Sequence, residues 1–457
     1  MTPRFVALRE DGLGGRMCAL LNAIVLANET NGSFEFAWPH NPNQWESQAV
    51  PPADKIFSDE FLTNHHRDGW LDLFDPNSPE SRRADHFQRH RLTNEQIVQI
   101  CSSGEDDRAC AITALQDLRF LIGRDTANAG YKSAIARIGF TDAIKRAIHL
   151  ADQVDLGTRV TAVHLRGGDV VFRHRFNNLH TRLVLPFPLV QELARRKKDA
   201  GEQVLIFGQD TSVIDHVTSE TNATSVSQLI AEHGLDGLEA WFFETKLMGR
   251  CQTVFAGKSA FAAFGSWIGG SILKDGYDQF TPEEAYELAC KTIQSASVPD
   301  LFKANACWAI QDRFGERLTP RERIECISRS SIHDPENCFY NLAVVDQLVS
   351  SGDMDEAKRQ LDDIVEAEFA NPGWRRGCLR MVLAGLKAGP HIPGHNYLSF
   401  LDVLAEQGHS SALLCRALSS REPDVARQAA NGFFDVEQNA SIKNFYSKAL
   451  GRVLAVG

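Results

Sequence analysis

The sequence predicts two doubly wound α/β domains in tandem, followed by an all-α, helical-repeat-like region. Three observations carry this. At about 150 residues per domain, a length of 457 favours three domains. Strand-type and helix-type segments alternate through the first three-fifths of the chain, as βαβ units require. Beyond Thr281 the strand signals stop and helical patterns follow one another to the end. The expected domains are 1–154, 155–280 and 281–457.

Arg4–Arg9 is a short β-rich run, and the glycines of DGLGGR lead into a helical pattern through Met17, Leu20, Leu21, Ile24 and Val25. Gly32 is expected to stop that helix, and Phe34–Trp38 reads as the next strand, completing a parallel βαβ unit. Residues 39–79 are rich in Pro, Asn, Asp and His, the composition of a surface excursion. Residues 94–154 read as mostly helical, with Ile97, Ile100, Ala111, Leu115 and Leu118 at suitable spacings. A second α/β unit begins at Arg159: RVTAVHLRGGD is a buried strand, Pro186–Ala200 a helix and QVLIFGQD a strand. Gly237–Arg250 follows as a helix, and QTVFAGKSAF is a strand turning into a helix that reaches Ile268. In the last region, Cys338–Pro372 resembles one tetratricopeptide unit, with a turn at Ser351-Gly352-Asp353 and a terminal Asn-Pro.

Forty-eight Lys and Arg against 59 Asp and Glu give a net charge of -11, which argues against general phosphate neutralisation and so against a nucleic-acid partner. The ten cysteines are scattered without a CxxC pair, unlike a zinc ribbon or a secreted disulfide scaffold, so a reducing compartment is expected. There is no signal-peptide core and no apolar run of about 18 residues. A cytoplasmic protein, peripheral at most to the inner face of the membrane, is the resulting expectation.

Three stretches sit where strands turn into helices, the edge at which doubly wound sheets bind ligands. In Asp11-Gly12-Leu13-Gly14-Gly15-Arg16, missing side chains let backbone N–H groups approach an anion, although the GxGxxG pattern of a dinucleotide site is absent. In Val163-His164-Leu165-Arg166-Gly167-Gly168-Asp169, alternation puts His164 and Arg166 on one face: the guanidinium suits phosphate, the imidazole a base or sugar. A structural Arg166–Asp169 ion pair with a core histidine is the alternative. In Phe255–Phe261, Ser259 falls at an N-cap, with Lys258, Ala260 and Phe261 beside it, so the hydroxyl, free N–H groups and helix dipole form either a phosphate receptor or a simple cap. Asp210 and Glu244 are acceptors for a guanine edge or ribose, or else ordinary solvated carboxylates.

VHLRGGD, VLIFGQD and FFETKLMGRCQTVFAGKSAFAAFGSWIGG occur in the order and spacing of the fucosyltransferase superfamily of GT-B fold, and the chain resembles that superfamily over about residues 4–275. The resemblance implies a GT-B-like pair of Rossmann-like domains, a GDP-sugar donor, usually GDP-fucose, and inversion at the sugar without a metal or other cofactor. By position Arg166 would hold the β-phosphate, His164 the guanine side and Ser259 the diphosphate. Glu244 would read guanine, and Gly14, Gly15 and Arg16 would approach from the first domain. Asp11 is the candidate base for the acceptor hydroxyl. The sequence departs from the family in having Gly167 where many members carry a second arginine. The expected function is fucosyl transfer to a glycan or lipid-linked oligosaccharide. Rival readings are another nucleotide-sugar donor, or a non-catalytic scaffold that binds a protein partner through its helical domain.

Overall fold

The computed structural model describes residues 4–9, 12–39, 50–67, 110–112, 118, 122–173, 183–370, 379, 382–383, 399–420 and 422–455. The chain divides into two compact units, Met1–Arg166 with Val190–Gln279, and Gly167–Leu189 with Phe280–Gly457.

The first unit contains two parallel sheets. In one, β1 (Arg4–Ala7) lies between β2 (Ser33–Phe36) and β3 (Cys110–Ile112). The crossover from β1 to β2 is α1 (Leu13–Glu29), buried from Gly14 through Ala27. A helix apolar on every side belongs inside a core rather than on a surface. It ends at Thr30, and Asn31 (φ 53°), not Gly32, takes the left-handed conformation. An Asn tolerates that region, which leaves Gly32 to donate its N–H to Ala27 O at 2.7 Å.

Strand β3 corrects the helical reading of 94–154, since Ala111 lies on it. Three residues are too few to show alternation, and Ala111, Leu115 and Leu118 share a helical spacing by coincidence. Ile97, Ile100 and Leu115 lie outside the described residues. Helix does follow, as α3 (Arg124–Arg137) and α4 (Asp142–Gln153). Within the 39–79 excursion, Ser58 caps the short α2 (Asp59–His65) by accepting from Phe61 N.

The second sheet has the order β6-β5-β4-β7-β8, from β4 (Val160–Leu165), β5 (Gln203–Gly208), β6 (Thr224–Ser225), β7 (Thr253–Ala256) and β8 (Ile272–Asp275). Its helices are α5 (Phe187–Asp199), α6 (Thr211–Thr221), α7 (Val226–Glu232), α8 (Gly237–Gly249) and α9 (Ala260–Gly269). β4 is buried along its whole length, as a central parallel strand must be. The chain winds outward from it to β5 and β6 on one side and to β7 and β8 on the other, so the topological switch point lies at its carboxyl end. Strands β6 and β8 and helices α6 and α7 are additions to the sequence reading.

The two sheets share packing through α9. Its Trp267 stacks on Tyr131 of α3 (4.6 Å, 7°) and belongs to the same core as Leu20, Ile24 and Val25 of α1. Helix α8 meets α9 at backbone distance: a Cβ on Gly249 would lie 2.7 Å from Gly265 O, and one on Gly269 would overlap the Gly249 carbonyl.

In the second unit, helices run from α10 (Pro282–Ser295) through α11 (Asp300–Phe314), α12 (Pro320–His333), α13 (Cys338–Ser351) and α14 (Met354–Ala370) to α15 (Ser399–Glu406), α16 (Ser410–Ser419), α17 (Pro423–Val436) and α18 (Ala440–Ala455). The expected hairpin of α13 and α14 is present, with Gly352 at φ 84° supplying its turn. α12 starts with Pro320 and a reciprocal capping box of Thr319 and Glu322. Its Ser330 hydroxyl ties it to Ala304 O of α11 at 2.9 Å. Cys251, Cys290, Cys307, Cys326 and Cys415 are in no disulfide, and among the described residues no helix is long and apolar enough to cross a membrane.

Gly269→Ala places a methyl where the α8 backbone already stands, so it should destabilise the protein by about 2 kcal/mol or more, read as a lowered urea midpoint at unchanged slope. An unchanged midpoint would show that the two helices separate without cost.

Candidate functional site

The site is built at the carboxyl end of β4. His164 lies opposite Phe207 of β5 in the parallel register, and its ring is 7% exposed. Phe261 of α9 covers it, with ring centroids 5.2 Å apart and planes at 35°. Its Nδ1 is sealed from solvent without a hydrogen-bond partner. Burial, and then the charge of Arg166, lower its pKa to about 3. The imidazole is therefore neutral at physiological pH. Arg166, half-buried, follows the last residue of the strand. The sequence reading placed this pair at one strand end, and the structure brings them together there.

β7 leads through Gly257, Lys258 and Ser259 into α9. Ser259 is buried and caps the helix by accepting from Ala262 N at 3.4 Å. Lys258 is exposed beside it. α1 begins at Leu13 with Gly12 as its N-cap, so Gly14 and Gly15 belong to the first helical turn and not to the preceding loop. This corrects the reading of a glycine turn, and packing gives the reason. A Cβ on Gly14 would lie 3.0 Å from Phe261 N and 3.1 Å from the carbonyl carbon of Ala260. A side chain there would have to push the start of α1 or of α9 aside. Cys18, one turn on, donates its thiol to Ala260 O at 3.6 Å. The first turns of two helices thus pack together, each carrying the positive end of its helix dipole.

Arg16 is turned differently from expectation. It is buried, donates to Pro39 O at 2.6 Å and lies over the Trp38 ring at 5.3 Å, so it braces the first sheet's own loop. Asp210 caps α6: its Oδ1 accepts from Val213 N at 3.3 Å and from the Ser212 hydroxyl at 2.6 Å, the ordinary work of an Asp preceding a helix. Asp11 and the side chain of Asp169 lie outside the described residues.

Glu244 is half-buried, with its carboxyl largely withdrawn from water. It sits on α8 one turn from Trp241, whose ring meets Phe261 (5.6 Å) and Phe264 (5.2 Å), and one turn from Leu247 in the second sheet's core. Burial alone raises its pKa to about 8, with no charged or hydrogen-bonded partner opposing the shift. An unpartnered, desolvated carboxyl costs stability at neutral pH and marks a functional candidate. Trp241 and Cys18, which complete the surroundings of Phe261, were not singled out in the sequence. Their periodic positions read as ordinary core.

No family model matches the chain, and no curated protein matches it. Solved structures do resemble it. The fucosyltransferase NodZ from Bradyrhizobium is 18% identical at a TM-score of 0.36, over 62% of this chain and 98% of that one. NodZ α-1,6-fucosyltransferase soaked with GDP-fucose is 18% identical at 0.34, over 58% and 93%. POFUT1 in complex with GDP is 10% identical at 0.32, over 60% and 98%.

Because folding raises Glu244 from 4.5 to about 8, its contribution to stability is full below pH 4.5 and is lost as pH rises toward 8. Glu244→Gln, neutral at every pH, should therefore leave the urea midpoint unchanged at pH 4 and stabilise the protein by about 1–3 kcal/mol at pH 7.5. Equal effects at both pH values would mean that the carboxyl is solvated.

Proposed function

We propose that this chain is an inverting glycosyltransferase that moves a sugar, fucose, from a GDP-sugar to a hydroxyl of a glycan acceptor without a metal ion. One observation carries the reading. The N-termini of α1 and α9 converge at Gly14 and Phe261, beside the strand end that bears His164 and Arg166. Two helix dipoles, free first-turn N–H groups and a guanidinium make a receptor for a diphosphate. The VHLRGGD stretch and the Ser259 loop agree with it.

In this reading the donor lies along the second sheet, with the nucleotide in residues 155–280 and the acceptor approaching from 1–154. Departure of GDP from an oxocarbenium-like sugar builds charge on the β-phosphate. Arg166 and the N–H groups at the start of α9 stabilise that charge where a metal would otherwise serve. His164, held neutral, offers Nε2 to the base side. Asp11, one residue before the Gly12 cap, takes the acceptor proton. The acceptor is a glycan or lipid-linked oligosaccharide met in the cytoplasm.

Calorimetric titration with GDP, GDP-fucose, GDP-mannose and UDP in the presence of EDTA tests the proposal. Selective binding of GDP and GDP-fucose is expected, whereas selective UDP binding, or none, would sink it. Arg166→Ala should lower kcat/KM by about 10²-fold or more with the fold intact, and wild-type turnover would remove Arg166 from the mechanism. Glu244 adds a proton signature. A carboxylate that accepts the N–H groups of guanine must be ionised, yet free Glu244 titrates near 8. GDP binding at pH 7 should release a proton, and affinity should rise from pH 6 to 8. A dissociation constant flat across that interval would take Glu244 out of the base site.

A further inference from the structure

Phe261, which packs against the second sheet's core, stands at the crossing of three contacts. Its backbone N lies 3.0 Å from where a Gly14 Cβ would be, at a close approach of α1 to α9. Its ring covers His164 at 5.2 Å. On another side Trp241 meets it edge-on, at 5.6 Å and 75°, and Trp241 is itself held by Phe242 and Phe264. The ring is therefore fixed from behind by α8, while its own helix is pinned to α1 by Cys18 and Gly14.

We infer that Phe261 is a positioning residue, an aromatic wedge that seals one ring nitrogen of His164 and sets the gap between the two helix N-termini, so that the site presents a single imidazole nitrogen beside a fixed set of backbone donors. The role in nucleotide binding rests on the function proposed above; the effect on His164 does not.

The physical basis is access of water. Nδ1 of His164 has no partner and no solvent contact, so protonation there is disfavoured. Among the described residues the groups around the ring are few: β5 presents Phe207, the start of α9 presents Phe261, and the charge acting on it is that of Arg166. Removing the Phe261 ring admits water to Nδ1. It also frees the first turn of α9 to shift against Gly14.

The test is a histidine-labelled NMR titration of the full chain, with the His164 signal identified by its loss in His164→Gln. In the wild type His164 should show no titration from pH 5 to 8. In Phe261→Ala it should titrate within that interval, while Phe261→Tyr, which keeps the ring, should behave as wild type. GDP affinity at pH 7.5 should fall by about 10-fold or more in Phe261→Ala and be retained in Phe261→Tyr. Phe261→Leu carries the same comparison if the alanine variant does not fold. A His164 that stays silent in Phe261→Ala, with GDP affinity within about twofold of wild type, would overturn the inference. If the wild type itself binds no GDP, the proposed function falls, and the His164 titration still decides whether Phe261 seals the ring.

Discussion

The first unit depends on one close approach, the start of α1 against the start of α9 at Gly14 and Phe261. Two helices approach to backbone distance most readily where a side chain is missing, and Gly14 provides that. The contact has consequences in both directions. Toward the first sheet it fixes α1, whose apolar residues from Met17 to Ala27 form the centre of the core. Toward the second it fixes α9, which carries Ser259 and Phe261 to the end of β4. The same helix then repeats the device at its far end, where Gly265 and Gly269 admit Gly249 of α8. Gly14 of α1 and Gly265 and Gly269 of α9 thus set how α1 and α8 stand against α9, and through α8 where Trp241 and Glu244 stand.

Electrostatics at this place follow from desolvation acting on groups of opposite type. Burial disfavours the charged form whatever its sign, so it pushes His164 down and Glu244 up. The result is an imidazole and a carboxyl that are both largely neutral near pH 7. In both cases burial is the first cause, so the shifts come mainly from packing rather than from paired charges.

The helical unit is held by different means. Its helices begin on capping residues and prolines, as at Thr319-Pro320 and Thr281-Pro282, and neighbouring helices are tied by single hydroxyls such as Ser330 to Ala304 O and Ser331 to Asn341. Buried hydroxyls of this sort fix the register between helices that generic apolar packing would leave free to slide. The thiols of Cys307, Cys326 and Cys415 are buried and pushed up by desolvation, which suits small core residues and not nucleophiles.

The alternation of strand and helix, the turn at Gly352 and the strand end bearing His164 and Arg166 were all legible in the sequence. Each is a local property: periodicity, a left-handed glycine, or side chains two residues apart on a strand. The Ser259 cap was legible for the same reason. Strand β3 was not, because three residues show no period and their place in a sheet is set by β1 beside them. Arg16 read as a ligand group by its position after two glycines, but its direction was decided by Pro39 and Trp38, more than twenty residues away. Glu244 read as either acceptor or solvated carboxylate, because desolvation belongs to its neighbours and not to the residue itself. By itself, the sequence determined which residue types stand at the end of each strand. Only the tertiary structure decided that Gly14 would touch Phe261 and that Phe261 would cover His164, since contacts so far apart along the chain are set by the packing of helices onto two sheets.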